Sequence, residues 1–382
     1  MSPIHAPTHA MVLAAGLGTR MAPLSTLLPK PALPVLNRPL IAHTLTRLND
    51  HGVTHAVVNA HHIPDRLKQA VETWAPEGLE VTWSHEPKIL GTAGGLRRAA
   101  RHFPDAPIYM VNSDCLSDVD FTAAAEAHAA SGRQATMVVR PWKKGSGYRP
   151  VLTGTLKRNG TARLTGIGTR RWGRAAAVPR IFTGVHVLAP EVIEAIPRGI
   201  ACDINADVYP RLIDKDADAV GTWLHKGWWL EAGTPRAYLD LNLKMLARDG
   251  RSAIVGPGFF IDEDARVTRS VLGDQVRLER NVVVEESVVW SGVTAGPGVV
   301  VRRCVIADGI DLPDGASFEG SIVMKGKDGS IVVEPIEPMP PPSEAPARAR
   351  IKAKARPRRR AVAARVARGG GARGGARGRK GR

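Results

Sequence analysis

Residues 11–35, MVLAAGLGTRMAPLSTLLPKPALPV, constrain the fold more than any other stretch of this chain. Residues 11–15 form an apolar run of the length a buried strand needs. The run breaks at once into a loop with glycine at 16 and 18, followed by Thr19, Arg20 and, further on, Lys30 between two prolines. Glycines let backbone N–H groups approach phosphate oxygens without Cβ interference, and the basic side chains supply counter-charge. The string is not a Walker A loop, since no Gly-Lys-Ser/Thr follows, and Met21 stands where a Gly-x-Gly-x-x-Gly motif needs its third glycine. A tight strand-to-helix connection would use the same residues.

The segments that follow alternate. Pro39 opens a helix with Ile41, Leu45 and Leu48 at helical spacing, residues 56–58 read as a second buried strand, 65–74 as a helix with Leu67, Val71 and Trp74 on one face, and 79–83 as another strand. Such β–α–β–α–β order implies a mainly parallel sheet covered by helices on both faces, with ligands at the carboxyl ends of the strands. Asn59, His61 and His62 lie at one such end, and a structural or substrate-edge role suits them better than metal, because adjacent histidines project in different directions. Residues 107–111 are a fourth buried strand ending in Asn112-Ser113-Asp114. A carboxylate there points into the same crevice as the glycine loop, where Mg²⁺, a hard cation, needs only one or two carboxylates. Asp118 and Asp120 read as a solvated helix start.

Between these strands, His85-Glu86-Pro87-Lys88-Ile89-Leu90-Gly91-Thr92-Ala93-Gly94-Gly95 leads into a helix over 96–102. Glycines at 91, 94 and 95 leave a surface on which a flat base or ribose can lie. Glu86 accepts two donors and so suits a guanine edge carrying N1–H and N2–H₂; a helix-capping loop is the alternative. Further on, 134–140 is a strand, 151–156 and 162–167 suggest a hairpin beside the main sheet, and 180–188 is a strand interrupted by Gly184, where close backbone approach and a β-bulge are both open readings. Residues 202–214 read as a helix, 220–225 as a strand and 235–248 as a closing helix.

Taken together, these strings resemble the sugar-nucleotidyltransferases (NDP-sugar pyrophosphorylases). The signature LAAGxGTRxxPLTxxxPKPxxPV is matched at nearly every position of 13–35, and later motifs extend the resemblance over roughly 10–325. It implies an α/β, Rossmann-like nucleotidyltransferase domain of the glycosyltransferase-A type. In that family a sugar 1-phosphate oxygen attacks the α-phosphorus of a nucleoside triphosphate, giving an NDP-sugar and pyrophosphate. The resemblance places Leu13, Ala14, Ala15, Gly16, Gly18 and Thr19 on the nucleotide, Arg20 and Lys30 on the phosphates, and Gly91, Thr92 and Gly94 on the nucleoside. It puts Asp114 on Mg²⁺ through a motif whose usual glycine is Ser113 here, and Thr183 and Gly184 along the sugar, where Asn205 is a further candidate. The family's W-x-D-x-G-T-P motif is Trp229-Leu230-Glu231-Ala232-Gly233-Thr234-Pro235, so the second metal ligand would be Glu231, one methylene longer. The family's Glu-Lys-Pro motif, whose lysine touches the sugar phosphate, has no clear equivalent.

From 254 to 323 short apolar triplets alternate with Gly/Asp/Glu turns at steps near six, the pattern of hexapeptide repeats winding a left-handed parallel β-helix of about four coils, each of ~18 residues. Hexapeptide acyltransferases use a histidine base, and these repeats contain none. An assembly or regulatory domain is the reading, with homo-oligomerisation through it. The expected domains are thus an N-terminal extension 1–10, a catalytic domain 11–249, the β-helix 250–333 and a disordered tail 334–382, Pro-rich and then Arg/Ala/Gly-rich.

Charge follows that division. The chain of 382 residues carries a formal +17, but residues 348–382 hold fifteen Lys/Arg and no Asp/Glu, which leaves 17 − 15 = +2 for everything before them. Low hydrophobicity with like charge implies disorder, and such an arm can hold polyanions weakly by releasing counterions. Three well-separated cysteines argue against a disulfide framework or a zinc cluster. The first ten residues lack the regions of a signal peptide and no apolar run is long enough to span a bilayer, so a cytoplasmic home is expected. The resemblance is strongest to mannose-1-phosphate guanylyltransferase-like proteins, which implies GTP and mannose 1-phosphate. The alternatives are a UTP- or dTTP-dependent transferase and a catalytically silent subunit that senses a sugar nucleotide.

Overall fold

The computed structural model describes residues 6–173 and 177–337. Strands β1 (His9–Leu13), β2 (His55–Ala60), β3 (Glu80–His85) and β4 (Ile108–Asn112) run parallel in the spatial order β4-β1-β2-β3. Strand alternation divides the core in two. Met11, Val57 and Met110 face one side, where Leu96 of α3 (Gly91–Ala99) covers them. Ala10, Val12, Val58 and Val111 face the other, under Ile41 and Leu45 of α1 (Leu40–Asp50) and Leu67 and Val71 of α2 (Pro64–Trp74). β1 ends at Leu13, two residues before the apolar run does, because the Ala14 N–H leaves the ladder and donates to Asn59 Oδ1 at 2.6 Å. The loop therefore begins inside the apolar string.

The second half extends the sheet with antiparallel pairs. After β5 (Cys115–Ser117) and α4 (Phe121–Ser131) come β6 (Ala135–Pro141), β7 (Val151–Thr153), β8 (Thr161–Ile167) and the long β9 (Val178–Leu188). β9 runs antiparallel between β4 and β6, and β10 (Val220–Leu224) lies parallel to β6. The expected hairpin is β7 with β8, and β7 also pairs β9, so β6, β10, β8, β7 and β9 close into a circuit. Two helices differ from expectation. α3 begins at Gly91 rather than near Leu96, and the helix expected over 202–214 starts as a wide turn at Ile204–Val208, capped by Asp203, before α5 (Tyr209–Lys215). β11 (Trp229–Glu231) and α6 (Pro235–Arg248) follow, the latter capped by Thr234 Oγ1, which accepts from Ala237 N.

Beyond α6 the chain forms three parallel sheets of short strands. Successive rungs pair Arg266, Val283, Val300 and Ser317, a repeat of 17 residues rather than the 18 expected. One corner of each coil turns on a single left-handed residue: Arg269, Glu286, Arg303 and Gly320 all have positive φ. Stacking sets opposite charges beside one another there, with Arg269 on Glu286 and Arg303 on Glu319. This domain shares one continuous core with the catalytic domain, in which Met21, Leu24, Leu33 and Val35 join Tyr238, Leu241 and Trp290. Polar contacts line the joint: Trp290 Nε1 donates to the Tyr238 hydroxyl at 3.1 Å, that hydroxyl donates to Pro34 O, and Asn37 Nδ2 donates to Leu272 O at 2.6 Å. The last described strand, Ile331–Pro335, folds back antiparallel on Ser321–Lys325 and Ile336 is buried, so order continues past the boundary expected at 333. The Arg/Ala/Gly-rich tail lies outside the described residues. No described helix is long and apolar enough to cross a membrane.

Candidate active site

The site is assembled where β1 and β4 end. Gly18 has φ +62, and a Cβ there would lie 3.3 Å from the Cβ atoms of both Lys30 and Ser25, so glycine is required by the turn and by the lysine packed against it. Gly16 is different: its Cβ would meet nothing within 4 Å. The protein's own packing does not ask for glycine at 16, which leaves an open approach to the backbone for an anion. Ala14 and Ala15 are buried beneath the loop and Leu13 is half-buried, while Gly16, Thr19 and Arg20 are exposed.

Asp114 is brought to its neighbours by a two-stranded ladder. β5 pairs antiparallel with β11, setting Cys115 opposite Glu231, and Ala232 N donates to Asp114 O at 3.0 Å. Lys30 Nζ donates to Asp114 Oδ2 at 2.7 Å, and the Cys115 thiol donates to Oδ1 at 3.2 Å. Arg20 lies 3.7 Å from Glu231. Burial raises the Glu231 carboxyl above its ordinary range, the Asp114 charge raises it further, and Lys30, Arg20 and a hydrogen bond from the Tyr148 hydroxyl pull it back. Two carboxylates close enough to repel, with two cations beside them, form a hard-oxygen donor pair. Mg²⁺ fits such a pair, since it keeps waters and substrate phosphates as its other ligands and needs no third protein group. Among the described residues no cluster of three or more His, Cys, Asp or Glu could hold a metal by itself.

Several expected contacts are otherwise engaged. Glu86 does not present its carboxylate to a base: it is fully buried, Oε1 accepts from Asn59 Nδ2 at 2.7 Å and Oε2 accepts from Leu90 N at 2.9 Å. Gly91, Gly94 and Gly95 are not an open surface but lie within the first turns of α3. Cβ atoms at 91 and 94 would press on Cys202 O (2.6 Å) and Ile200 O (2.9 Å). Thr92 Oγ1 donates to Asp203 and accepts from Ile204 N, so it fastens α3 to the 203–208 turn. Thr183 is buried with Oγ1 donating to Val138 O at 2.8 Å. Gly184 sits in a register shift with φ +90, and a Cβ would lie 3.0 Å from Asn112 Cβ, so β-bulge and close approach both apply, the latter to Asn112. Asn205 Oδ1 is buried without a hydrogen-bond partner among the described residues. His61 and His62 bind the backbone oxygens of Glu86 and Ser25, a structural role. Asp120 caps α4, and Asp118 faces His225 at 3.1 Å.

Two residues were missed. Tyr148, an aromatic in a Gly- and Lys-rich loop, stacks edge-on against Trp229 and hydrogen-bonds Glu231; an aromatic ring within a polar loop was the available signal. Arg140, at the end of β6, donates to Trp229 O at 3.1 Å. In the region where the Glu-Lys-Pro motif has no clear equivalent, Arg170 is paired with Asp214 and Arg171 Nη1 donates to Gly168 O and Arg170 O.

A family model described as nucleotidyl transferase matches residues 9–248. The chain belongs to the nucleotidyl transferase family. A second model, the GlmU-like C-terminal hexapeptide, matches residues 245–320, in agreement with the rungs described above. Among nucleotidyl transferase relatives, a probable mannose-1-phosphate guanylyltransferase 2 of Arabidopsis thaliana is 30% identical over 316 residues, covering 77% of this chain and 83% of its own. A mannose-1-phosphate guanyltransferase of Aspergillus fumigatus is 28% identical, covering 83% and 96%. A UTP–glucose-1-phosphate uridylyltransferase of Synechocystis is 26% identical, covering 82% and 83%. Among solved structures, HddC from Yersinia pseudotuberculosis superposes with a TM-score of 0.50 at 18% identity, over 62% of this chain and 99% of that one, a likeness of fold. This nucleotidyl transferase is therefore an enzyme that joins a nucleotide to a sugar phosphate.

Proposed function

We propose that the enzyme transfers the guanylyl group of GTP to mannose 1-phosphate. The observation that carries this reading is that relatives named for that activity match this chain across both domains. A phosphate oxygen of the sugar phosphate forms a bond to the α-phosphorus as the bond to the β-phosphate oxygen breaks, and pyrophosphate leaves. The reaction joins two anions, so catalysis consists of alignment and charge neutralisation. The loop from Leu13 to Thr19 receives the triphosphate, Arg20 steadies the leaving pyrophosphate and Lys30 neutralises the reacting phosphates. Asp114 and Glu231 would hold Mg²⁺, which supplies further charge neutralisation. No general base is required, because a phosphate monoester is already ionised at neutral pH. Asn205 is the side-chain candidate for a sugar hydroxyl, with Gly184 a candidate for backbone contact, and the hexapeptide domain is proposed to carry homo-oligomerisation.

With Glu86 engaged internally, base choice falls to other groups of the crevice. Hydrogen-bonding sites discriminate strongly only when their geometry is fixed. The Synechocystis relative makes UTP with glucose 1-phosphate the second reading. A matrix of four nucleoside triphosphates against mannose, glucose, N-acetylglucosamine and N-acetylmuramic acid 1-phosphates, read by pyrophosphate release, decides between them. GTP with mannose 1-phosphate is expected to give the highest kcat/KM, and a clear preference for UTP or dTTP would reject the guanylyl assignment.

A further inference from the structure

The loops that follow β1 and β3 are tied together by one buried pair of side chains. Ala14 N, at the start of the glycine loop, donates to Asn59 Oδ1 at 2.6 Å. Asn59 Nδ2 donates to Glu86 Oε1 at 2.7 Å, and Leu90 N, at the start of α3, donates to Glu86 Oε2 at 2.9 Å. Asn59 is 3% exposed and Glu86 is 0% exposed. Every bond in this chain has one polarity: the asparagine accepts from the first loop and donates to the glutamate, which accepts from both sides. A carboxylate removed from water costs free energy that neutral donors only partly return. Its presence between two loops is explained by what it orients. Gly95 completes the fit, for a Cβ there would lie 2.5 Å from Glu86 Oε1 and 2.9 Å from Asn59 Nδ2.

We propose that Asn59 and Glu86 are a positioning pair that sets the spacing between the glycine loop and the loop ahead of α3, so that affinity for a nucleoside triphosphate depends on this chain of hydrogen bonds. The inference rests on the glycine loop receiving the triphosphate, as proposed above, and not on which base or sugar is used. The pair touches no reacting atom; it acts through Ala14 and Leu90.

Hydrogen-bond polarity supplies the test. Glu86→Gln offers one oxygen to two donors, so either Asn59 Nδ2 or Leu90 N loses its acceptor. Asn59→Asp sets two carboxylates face to face. Combining Asn59→Asp with Glu86→Gln restores every bond: the carboxylate at 59 accepts from Ala14 N and from the amide at 86, whose oxygen accepts from Leu90 N. Gly95→Ala attacks the pair from outside, placing a methyl group against the carboxylate while raising helix propensity.

In the full-length chain, each single substitution is expected to raise the KM for GTP about tenfold, with UTP as a parallel arm, while the KM for the sugar phosphate and the circular-dichroism spectrum stay unchanged. Hydrogen exchange should accelerate in peptides spanning Ala14 and Leu90. The double exchange should restore both KM and protection, and Gly95→Ala should reproduce the single-variant KM. The proposal is overturned if Glu86→Gln keeps the wild-type KM, if the folded double variant is no better than the poorer single one, or if the variants lose only melting temperature. Should the double variant fail to fold, Gly95→Ala decides. If the wild-type chain turns over no triphosphate, the functional reading fails, while the exchange data still decide whether the pair couples the loops.

Discussion

Lys30 and Asp114, 84 residues apart in sequence, meet at 2.7 Å, with the lysine side chain 11% exposed. The lysine is held from behind by Gly18, and the carboxylate is held by the Cys115 thiol. Cation and anion are thus fixed before any substrate arrives, which is the preorganisation a transfer between two anions needs.

Asp114→Asn and Lys30→Met should each lower kcat/KM by about 10³-fold while the far-ultraviolet spectrum stays native, since both residues border a crevice. Lys30→Arg keeps the charge but enlarges a side chain already packed on Gly18, so it should also fail to restore the rate. Full activity in Lys30→Arg would show that charge alone matters at this position.

Glu231 predicts a pH dependence. Its carboxyl is raised by burial and by Asp114. A folded-state pKa above the unfolded one favours folding at pH below the unfolded value, and that contribution is lost as pH rises through the folded value. In the metal-free chain the Glu231 carboxyl should therefore titrate above the ordinary carboxylate range, followed by carboxylate infrared absorption against pH. Tyr148→Phe removes a hydrogen bond that lowers this pKa and should move the titration to higher pH; an unmoved titration would assign it to another group.

Thr183 is buried with its hydroxyl bonded to Val138 O, which makes its role structural and testable. Thr183→Val removes the hydrogen bond to Val138 O and should cost ~1 kcal/mol, seen as a lower urea midpoint at constant m-value. The KM for the sugar phosphate should not change. A selective rise in that KM would return Thr183 to the sugar.

The shared core predicts that the two domains unfold together. Trp290→Ala opens a cavity at the joint and should cost ~3–5 kcal/mol, with near-ultraviolet and far-ultraviolet signals still lost in one transition. Two separated transitions in the wild-type chain would show that the β-helix stands independently.

Deleting residues 338–382 removes fifteen Lys/Arg and no residue placed at the site. Turnover should stay within a few-fold, while retention on a cation exchanger and salt-sensitive binding to RNA decline. Loss of turnover on truncation would place the tail in the active site.

The sequence by itself determined the alternation of strands and helices up to Asn112, the glycine loop with Arg20 and Lys30, Asp114 at a strand end and the repeat domain. These rest on local chemistry: strand and helix periodicity, glycine's freedom of approach and the turn residues of each coil. Only the tertiary structure decided which polar groups remain for a ligand. Glu86, Thr92 and Thr183 carry side chains suited to recognition, yet Glu86 and Thr183 are buried and Thr92 is half-buried, and a polar group taken from water must find its partners within the protein. Those partners, Asn59, Asp203 and Val138, are distant in the chain for Thr92 and on neighbouring strands for the others, so no local pattern announces them. The pairing of Cys115 with Glu231, which carries Tyr148's partner to Asp114, is likewise a matter of strand register, set by packing rather than by spacing in the sequence.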